Sequence, residues 1–454
     1  MKELILKSHW CFCIVKTVGR FPVSAAAAKV CGLILLSYFV LATTSITTAV
    51  QSAQRRSSVV PSEAFKSRLP TGISKTLWRQ RIPSNNPMTP AKVSLGRALY
   101  FDKRLSSDGT VSCATCHDPA NAFTDHTVIA IGASSRVGTR NAPTILNAMF
   151  SEHLFWDGRV GSLEEQAKQP MSNPFEMGMG GDDAVVARVS AIPEYRQGFR
   201  HVFGHEGITI DTIVKAIAAY ERTQLSGNSP FDRFISGDTN AITEAQKRGW
   251  EIFKGKAKCI ECHSFSASSP FFTDFRFHNT GIAASDINFE QLTGLARQIA
   301  DRKTSSSVTK PVNITTKRSA SAQQSQHSAP LLAHIQGFTD LGRYLVTKQP
   351  KDIGAFKTPT LRDIELTTPY MHNGSEKTLI DVVRFYNRGG NRSANLDERL
   401  HPLNLSDKEM NGLVEFMRTL TSDDVLRQSQ SSKPQSRTAV IVGPLKATWK
   451  KRRR

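Results

Sequence analysis

The run SCATCHDPANAFTD, Ser112 to Asp125, decides how this sequence is read, because KCIECHSF, Lys258 to Phe265, repeats its core. Both runs hold two cysteines that are separated by two residues and followed at once by a histidine. A zinc site or a redox dithiol needs the paired cysteines, but not a histidine directly after the second one. Covalent attachment of a c-type haem uses all three side chains, since two thioethers hold the porphyrin and the imidazole ligates the iron. The repeated pattern favours two covalently bound c-type haems, held by Cys113, Cys116 and His117 and by Cys259, Cys262 and His263.

The remaining cysteines belong to a segment that resembles an export signal. Cys11, Cys13 and Cys31 are the other three of the seven cysteines. Several basic residues precede an apolar run, 31–42, and small residues follow it, which is the order of a secretory signal with cleavage after Ala49 or Ala53. A retained anchor is the alternative. We expect a signal or anchor over 1–53, a linker over 54–90 and a periplasmic protein.

The net charge of +20 comes in large part from the end of the chain. Residues 428–454 contain eight Lys or Arg and no Asp or Glu. A charge run of this kind is usually a solvated tail. We therefore expect a disordered basic tail over 426–454, and no nucleic-acid partner.

The apolar spacing predicts an all-α fold of two c-type cytochrome domains with long haem-pocket loops. LGRALYFDKRL before the first motif resembles KRGWEIFKGKA before the second, with Gly96 aligned to Gly249 and Tyr100 to Phe253. Each run reads as an amphipathic helix, so one unit is used twice. We expect an N-terminal domain over 91–240, a C-terminal domain over 241–425, and a disordered Ser, Thr and Lys-rich insertion near 304–328.

Further helices follow from the spacing of apolar residues and from capping patterns. SLEEQAKQP, DDAVVARVSAI and IDTIVKAIAAYERTQL read as helices, the last of them starting at Asp211 and Thr212. Another helix is expected to start near Leu379. Ser406 and Glu409 predict a capping box at the start of the final helix of the domain.

From Leu95 to Thr421 the chain resembles the bacterial di-haem cytochrome c peroxidases and their relatives of the MauG type. The resemblance is carried by LGRALYFDKRLSSDGTVSCATCHDP, GTRNAPTILNAMF, FWDGRVGSLEEQAKQP, GKAKCIECH and FKTPTLRDIELTTPYMHNG. It implies that the first haem reacts with peroxide and that the second transfers electrons. It further implies an acid–base role for Glu176, a polar role for Gln166 in the same pocket, and an electron relay at Trp156. Asn141, Thr367 and Pro369 match positions around a calcium ion, and oxygen ligands of this kind suit Ca²⁺.

Two positions depart from the pattern of many of these peroxidases. Ala133 stands where they carry a histidine that ligates the first haem, so this haem is expected to be open without an activation step. Tyr386 stands seventeen residues after Pro369, where they use a methionine as ligand of the second haem. A tyrosine ligand there is the MauG-type pattern, and it stabilises oxidised iron. Met371 and His372 are rival ligands.

The resemblance implies a peroxidase that reduces hydrogen peroxide to water, with a small cytochrome c or cupredoxin as electron donor. The MauG-like ligation suggests an alternative, the peroxide-dependent oxidation of a protein or another substrate. A di-haem electron carrier is a second alternative, but it has no use for an open site that faces Glu176. A haem-based sensor would need an output domain, and neither tail resembles one.

Overall fold

The computed structural model describes residues 69–284, 289–304 and 339–431. The expected signal, residues 305–338 of the insertion region and residues 432–454 of the tail lie outside the described residues. Within them, no helix is long and apolar enough to cross a membrane.

The described part of the chain is built from helices and long connecting loops, so the all-α prediction is confirmed. In chain order the α-helices are α1 (Lys75–Gln80), α2 (Pro90–Phe101), α3 (Cys113–Cys116), α4 (Leu163–Ser172), α5 (Asp182–Ala191), α6 (Pro193–Phe203), α7 (Ile210–Glu221), α8 (Pro230–Ile235), α9 (Glu244–Lys254), α10 (Phe289–Thr304), α11 (Tyr344–Thr347), α12 (Leu379–Asn387), α13 (Asp407–Arg418) and α14 (Asp423–Ser431).

Only one pair of strands forms among the described residues. β1 (Phe277–His278) and β2 (Phe356–Lys357) are antiparallel, with Phe277 opposite Lys357. At two residues each, these strands cannot form a sheet with a core of its own. Their effect is local, because β2 is fixed beside the loop that follows the second Cys-x-x-Cys-His motif.

Capping residues fix the helix boundaries. The capping box of Ser406 and Glu409 at the start of α13 is confirmed. The predicted start of α7 at Asp211 and Thr212 is wrong, because the helix begins at Ile210 and Thr209 is the cap. The Thr209 hydroxyl accepts from the Thr212 N–H at 3.2 Å, and the Thr212 hydroxyl accepts from the Thr209 N–H at 2.9 Å. Thr212 is the third residue of a capping box rather than the cap itself.

Two helix pairs cross at glycines in the same way. On α2, a Cβ added to Gly96 would lie 1.8 Å from the Ala216 carbonyl oxygen of α7. On α9, a Cβ added to Gly249 would lie 2.0 Å from the Gly412 carbonyl oxygen of α13. Helix backbones approach this closely only where the contacting residue has no side chain. The predicted alignment of Gly96 with Gly249 therefore corresponds to one packing contact made twice.

Each crossing lies in its own apolar core. The first core surrounds α2 and α7 and contains Leu99 and Ile217. The second surrounds α9 and α13 and contains Phe253 and Phe416. Phe231 of α8 is fully buried in the second core, although the expected boundary at 240 assigns it to the first domain. The division between the cores therefore falls before α8.

The expected start of the disordered tail at 426 lies inside α14 and is too early. This helix runs to Ser431, and its Val425 is 3% exposed within the first core. Asp423 at its start pairs with Arg233 at 2.7 Å. Val425 and this ion pair hold α14 against the protein. The surrounding sequence is highly polar, so it gives no sign of these contacts.

In each core, a loop residue with a positive φ bonds to the segment that follows the second helix of the crossing pair, which is α7 in the first core and α13 in the second. Asn147 has a φ of 59°, and its carboxamide donates to the Ser226 carbonyl at 2.9 Å and accepts from the Ser226 N–H at 3.0 Å. Asp363 has a φ of 57°, and its Oδ1 accepts from the Ser422 N–H at 2.8 Å. Asp363 is fully buried, and its Oδ2 has no hydrogen-bond partner among the described residues. Burial outweighs the nearby Ser226 hydroxyl and Ser422 N–H, and it raises the pKa of Asp363 to about 6.

Gly249→Ala should destabilise the protein by about 1–3 kcal/mol, because the new methyl group forces α9 and α13 apart. The free energy of unfolding, from denaturant titration of the holoprotein, measures the effect. Gly294→Ala is the matched control, since Gly294 lies in α10 and a Cβ there meets no atom within 4 Å. It should stabilise by up to about 1 kcal/mol. Equal effects of the two substitutions would contradict the proposed role of the crossing.

Asp363→Asn should remove a pH dependence of stability. Between the ordinary carboxyl pKa of 3.8 and the folded value of about 6, the folded state keeps a proton that the unfolded state releases. Stability therefore falls as pH rises through this window. The substitution should abolish that fall and raise stability at pH 7 by about 2–3 kcal/mol.

The matched control for this prediction is Asn147→Asp at the equivalent position. It should introduce a similar fall with rising pH, measured as unfolding free energy between pH 4 and pH 8. Parallel pH profiles of wild type and Asp363→Asn would refute the assignment.

Candidate active site

The two Cys-x-x-Cys-His motifs fold alike around their histidines. The His117 N–H donates to the Cys113 carbonyl, and the His263 N–H donates to the Cys259 carbonyl, both at 2.9 Å. His117 Nδ1 lies 3.2 Å from the Phe123 carbonyl oxygen. His263 Nδ1 lies 3.0 Å from the Phe272 carbonyl oxygen.

These contacts fix the tautomer of both rings. A carbonyl oxygen can only accept a hydrogen bond, so Nδ1 must carry the hydrogen and Nε2 keeps its lone pair for a metal. Burial lowers the pKa of both His117 and His263, which favours the neutral imidazole. Both residues are thus prepared to ligate iron through Nε2.

The accepting carbonyls are held by an unusual backbone conformation and a threonine. Phe123 and Phe272 have positive φ values of 61° and 52°. The Thr144 hydroxyl donates to the carbonyl just before Phe123 at 2.7 Å, and the Thr360 hydroxyl donates to the carbonyl just before Phe272 at 2.6 Å. Each threonine follows a proline, in APTIL and TPTLR. This second repeat was not identified from the sequence.

The cysteines fit haem attachment better than the alternatives. None of Cys113, Cys116, Cys259 and Cys262 forms a disulfide. Burial raises the pKa of Cys116 and Cys259 to about 12, which disfavours thiolates. Among the described residues, three or more potential metal ligands of the His, Cys, Asp and Glu types meet only at Cys262, Asp274 and His278, so neither motif brings both of its cysteines into such a group.

A large cavity of about 280 Å³ opens at the second motif. Cys259, Cys262 and His263 line one part of it, and Tyr386 of α12 lines another. Most of its wall is apolar, with side chains such as Phe253 and Leu413. Two thiols, an imidazole with a fixed tautomer and an apolar wall are the donor set and surroundings that a c-type haem requires.

Three candidates for the far ligand of the second haem line this large cavity, namely Tyr386, Met371 and His372. His372 is already engaged, since its Nε2 lies 3.0 Å from Asp340 Oδ1 and its ring stacks on Phe356 at 3.7 Å. Tyr386 lines the same cavity as the cysteines of the second motif, and burial, together with those thiols, raises the pKa of its phenol. Ligation by Tyr386 stays a prediction that this arrangement favours.

Glu176 lies beside the first motif and directly against Ala133. The Ala133 N–H donates to the Glu176 carbonyl at 2.7 Å. The Glu176 carboxylate accepts from Asn173 Nδ2 at 2.7 Å and is near enough to both thiols of the first motif to raise their pKa. Burial raises the pKa of Glu176 itself, while Arg159 and Asn173 oppose the rise. The structure therefore brings together the position of the missing histidine, a carboxyl group and the first motif.

Asn173 and Arg159 were missed in the sequence. Arg159 Nε donates to Gln169 at 2.7 Å, and the guanidinium lies 3.4 Å above the Phe155 ring. Arg159 lies in the quoted run FWDGRVGSLEEQAKQP and Asn173 lies three residues before Glu176, but no spacing rule connects either to the carboxyl group. Gln166 is partly buried on α4, and no described contact links it to Glu176, so its role stays a prediction.

Trp156 lines the cavity at the second motif and contacts the Asn141 segment. Its Nε1–H donates to the Asn141 carbonyl at 2.9 Å. The indole lines the large cavity and also a smaller one of about 90 Å³. The position suits a relay, although the indole also packs against neighbouring apolar side chains as an ordinary core residue does.

The three calcium candidates line the same cavity. Asn141, Thr367 and Pro369 all line the large cavity. Asn141 Nδ2 donates to the Thr127 carbonyl at 2.8 Å, so the amide oxygen points elsewhere and can serve as a ligand. The donor set of amide and carbonyl oxygens is compatible with Ca²⁺. Calcium binding stays a prediction.

A charged network that the sequence did not reveal borders the second motif. His278 lies between two carboxylates, with Nε2 2.8 Å from Asp274 and Nδ1 2.7 Å from Asp397. Arg399 pairs with Asp397 at 2.7 Å. These residues come from β1 and from loops far apart in sequence, and no local motif unites them.

A chain with two such histidines, four unpaired cysteines and an apolar cavity of this kind is a c-type haem protein with two attachment sites. The profile described as di-haem cytochrome c peroxidase matches residues 90–240. The cytochrome-c peroxidase IdrP1 of a Pseudomonas species is 36% identical over 356 residues, which are 78% of this chain and 86% of that protein. The methylamine utilization protein MauG of Methylorubrum extorquens is 36% identical over 343 residues, 75% of this chain and 81% of that protein.

Solved structures agree with these relatives. The crystal structure of a MauG-like protein associated with microbial copper homeostasis has a TM-score of 0.60 and 30% identity, and it covers 76% of this chain and 93% of its own. The di-haem peroxidase BthA of Burkholderia thailandensis shares the fold, with a TM-score of 0.56 at 20% identity over 75% of this chain and 88% of its own. The chain belongs to the di-haem cytochrome c peroxidase and MauG family, whose cofactors are two c-type haems. The predicted family is confirmed.

Tyr386→Phe should convert the ferric second haem from a six-coordinate to an open state, because phenylalanine offers no ligand atom. Low-temperature electron paramagnetic resonance of the holoprotein measures the loss of the low-spin signal. His372→Ala is the matched variant, and it should keep that signal. If His372→Ala removes the signal and Tyr386→Phe does not, His372 is the ligand instead.

Proposed function

We propose that the protein is an exported di-haem peroxidase that reduces hydrogen peroxide to water at the first haem. Cys113 and Cys116 would attach this haem and His117 would ligate it, while Cys259 and Cys262 would attach the second. The iron of a bound haem supplies the electrons that cleave the O–O bond. The observation that supports the proposal best is the carboxyl group of Glu176, held beside the first motif and against Ala133.

Glu176 is suited to move a proton between the two oxygens of peroxide. Reduction of H₂O₂ consumes two electrons and two protons and yields two molecules of water. Cleavage is easier when a base takes the proton of the near oxygen and returns it to the far oxygen. The raised pKa of Glu176 brings its carboxyl group nearer to the range in which it can both accept and donate a proton. Asn173 holds the carboxylate by its Oε1 at 2.7 Å.

Ala133 leaves the approach to the first haem open. Its methyl group offers no ligand atom, and it lies in contact with the Glu176 backbone. A Cβ on the neighbouring Gly132 would lie 2.2 Å from the Phe175 carbonyl oxygen, so the loop is packed tightly against the segment that carries Glu176. An open site beside a fixed carboxyl group argues against a simple electron carrier.

Trp156 is suited to connect the two haem sites. It lies on the wall of the large cavity, and its indole hydrogen bond to Asn141 fixes the ring. An indole with this placement shortens the path of an electron between the sites. Asn141, Thr367 and Pro369 would hold a calcium ion on the same wall and stiffen it.

A second candidate function is favoured by Tyr386. A tyrosine ligand stabilises oxidised iron, so a second haem with this ligand would store oxidising equivalents rather than accept electrons readily. The protein would then use peroxide to oxidise a protein or another substrate. For the first proposed function, peroxide reduction to water, the electron donor is a small cytochrome c or cupredoxin.

The same proposal assigns a role to each segment of the chain. A signal or anchor over 1–53 would deliver the protein to the periplasm. Each of the two cores would carry one haem, the peroxidatic one in the N-terminal domain and the electron-transfer one in the C-terminal domain.

Glu176→Gln should lower the rate of peroxide reduction by about 10²–10⁴-fold, because the amide cannot take up a proton. In the wild type, Glu176 must be ionised to accept a proton, so the rate should fall as pH drops through its pKa. That fall should occur at higher pH than for an ordinary carboxyl group, since burial raises the pKa. Stopped-flow kinetics between pH 4 and pH 8 measure both effects.

The control for this prediction is Glu165→Gln on α4. Glu165 is exposed, and its carboxylate only accepts from the Gly161 N–H at 3.0 Å. This variant should keep the wild-type rate and pH profile. A Glu176→Gln protein with both haems bound and full activity would sink the proposal.

A further inference from the structure

Lys357 is a basic residue beside Trp156 in the wall of the large cavity, and the mechanism above does not use it. It lies on β2, and its N–H donates to the Trp156 carbonyl at 2.9 Å. Its side chain lines the large cavity, together with Cys259, His263 and Tyr386. It also lines the smaller cavity of about 90 Å³, as Trp156 does.

No described residue gives the Lys357 ammonium group a hydrogen bond or an ion pair. Asp157, the acid next to Trp156 in sequence, forms ion pairs through its carboxylate with the guanidinium groups of Arg140 at 2.9 Å and Arg159 at 3.1 Å. Burial alone lowers the pKa of Lys357 to about 8, and no carboxylate opposes this effect. A cation in this situation is costly unless an anion joins it.

The other lysine and arginine side chains on the wall of the large cavity have partners. Lys258 lies 3.9 Å from Glu261, and Arg399 lies 2.7 Å from Asp397. Lys357 therefore differs from them in facing the cavity without a carboxylate from the described protein. A carboxylate bound in the cavity would supply the partner that the described protein does not.

Building on the haem assignment above, we propose that Lys357 is an anion site that binds a propionate carboxylate of the second haem. Haem carries two such carboxylates on one edge, and this edge would then face Trp156. The ion pair would fix the edge of the porphyrin beside the relay. It would also offset the negative charge of the propionate, which otherwise favours ferric over ferrous iron. Lys357 is a positioning residue that acts on the reduction potential of the haem.

The test compares Lys357→Met with Lys357→Arg and with Lys351→Met in the holoprotein. Lys351 is exposed and six residues earlier, so its loss changes net charge without touching the cavity. Spectroelectrochemical titration gives the potential of each haem, and haem content and circular dichroism check that each variant folds. Lys357→Met should favour the ferric second haem by about tenfold, which is ~59 mV for one electron. Lys357→Arg and Lys351→Met should keep the wild-type potential.

An unchanged potential in Lys357→Met would overturn the proposal. So would a shift that appears only in buffers with added phosphate or chloride, because the anion would then be a small ion. Infrared difference spectra of protein with ¹³C-labelled haem propionates provide a second readout. A labelled carboxylate band should move in Lys357→Met and stay in Lys351→Met, and a band that does not respond to Lys357 contradicts the ion pair. Neither measurement needs peroxide turnover, so the inference can fail while the peroxidase proposal stands.

Discussion

The hydrogen bond from each motif histidine to a backbone carbonyl is the constraint on which the rest of the site depends. It fixes the tautomer of His117 and His263 and so decides which nitrogen can face iron. The residues that supply these carbonyls, Phe123 and Phe272, both have a positive φ. A threonine hydroxyl then pins the preceding carbonyl.

Much of the fold follows from local sequence, since helices and capping boxes depend on neighbouring residues. The aligned glycines were predicted, and they turn out to be one crossing made twice. The errors have a common cause. At the start of α7, Thr209 and Thr212 form a capping box, and the sequence does not show which of the two is the cap. The helix α14 is held by the buried Val425 and by an ion pair with Arg233, which lies far away in the chain. A polar segment gives no local sign of contacts that distant elements supply.

The candidate site also has a part that the sequence predicts and a part that only the fold reveals. Haem attachment is carried by five contiguous residues and is visible in the sequence, whereas Glu176 and Tyr386 entered through resemblance to a family. Asn173, Arg159 and Lys357 became meaningful only when the fold placed them beside other groups. Lys357 in particular looks like any strand lysine in sequence. Its importance comes from what surrounds it, a property of three-dimensional packing that residue spacing does not encode.

The glycine crossings also bear on how the protein is made. α2 and α7 meet across more than a hundred residues, as do α9 and α13, and each closed loop contains one Cys-x-x-Cys-His motif. Contacts so distant in sequence form late in folding. Once they form, the thiols are buried and their pKa is raised, which makes them poor nucleophiles. The thiols are therefore more reactive toward haem in a chain whose helices have not yet crossed.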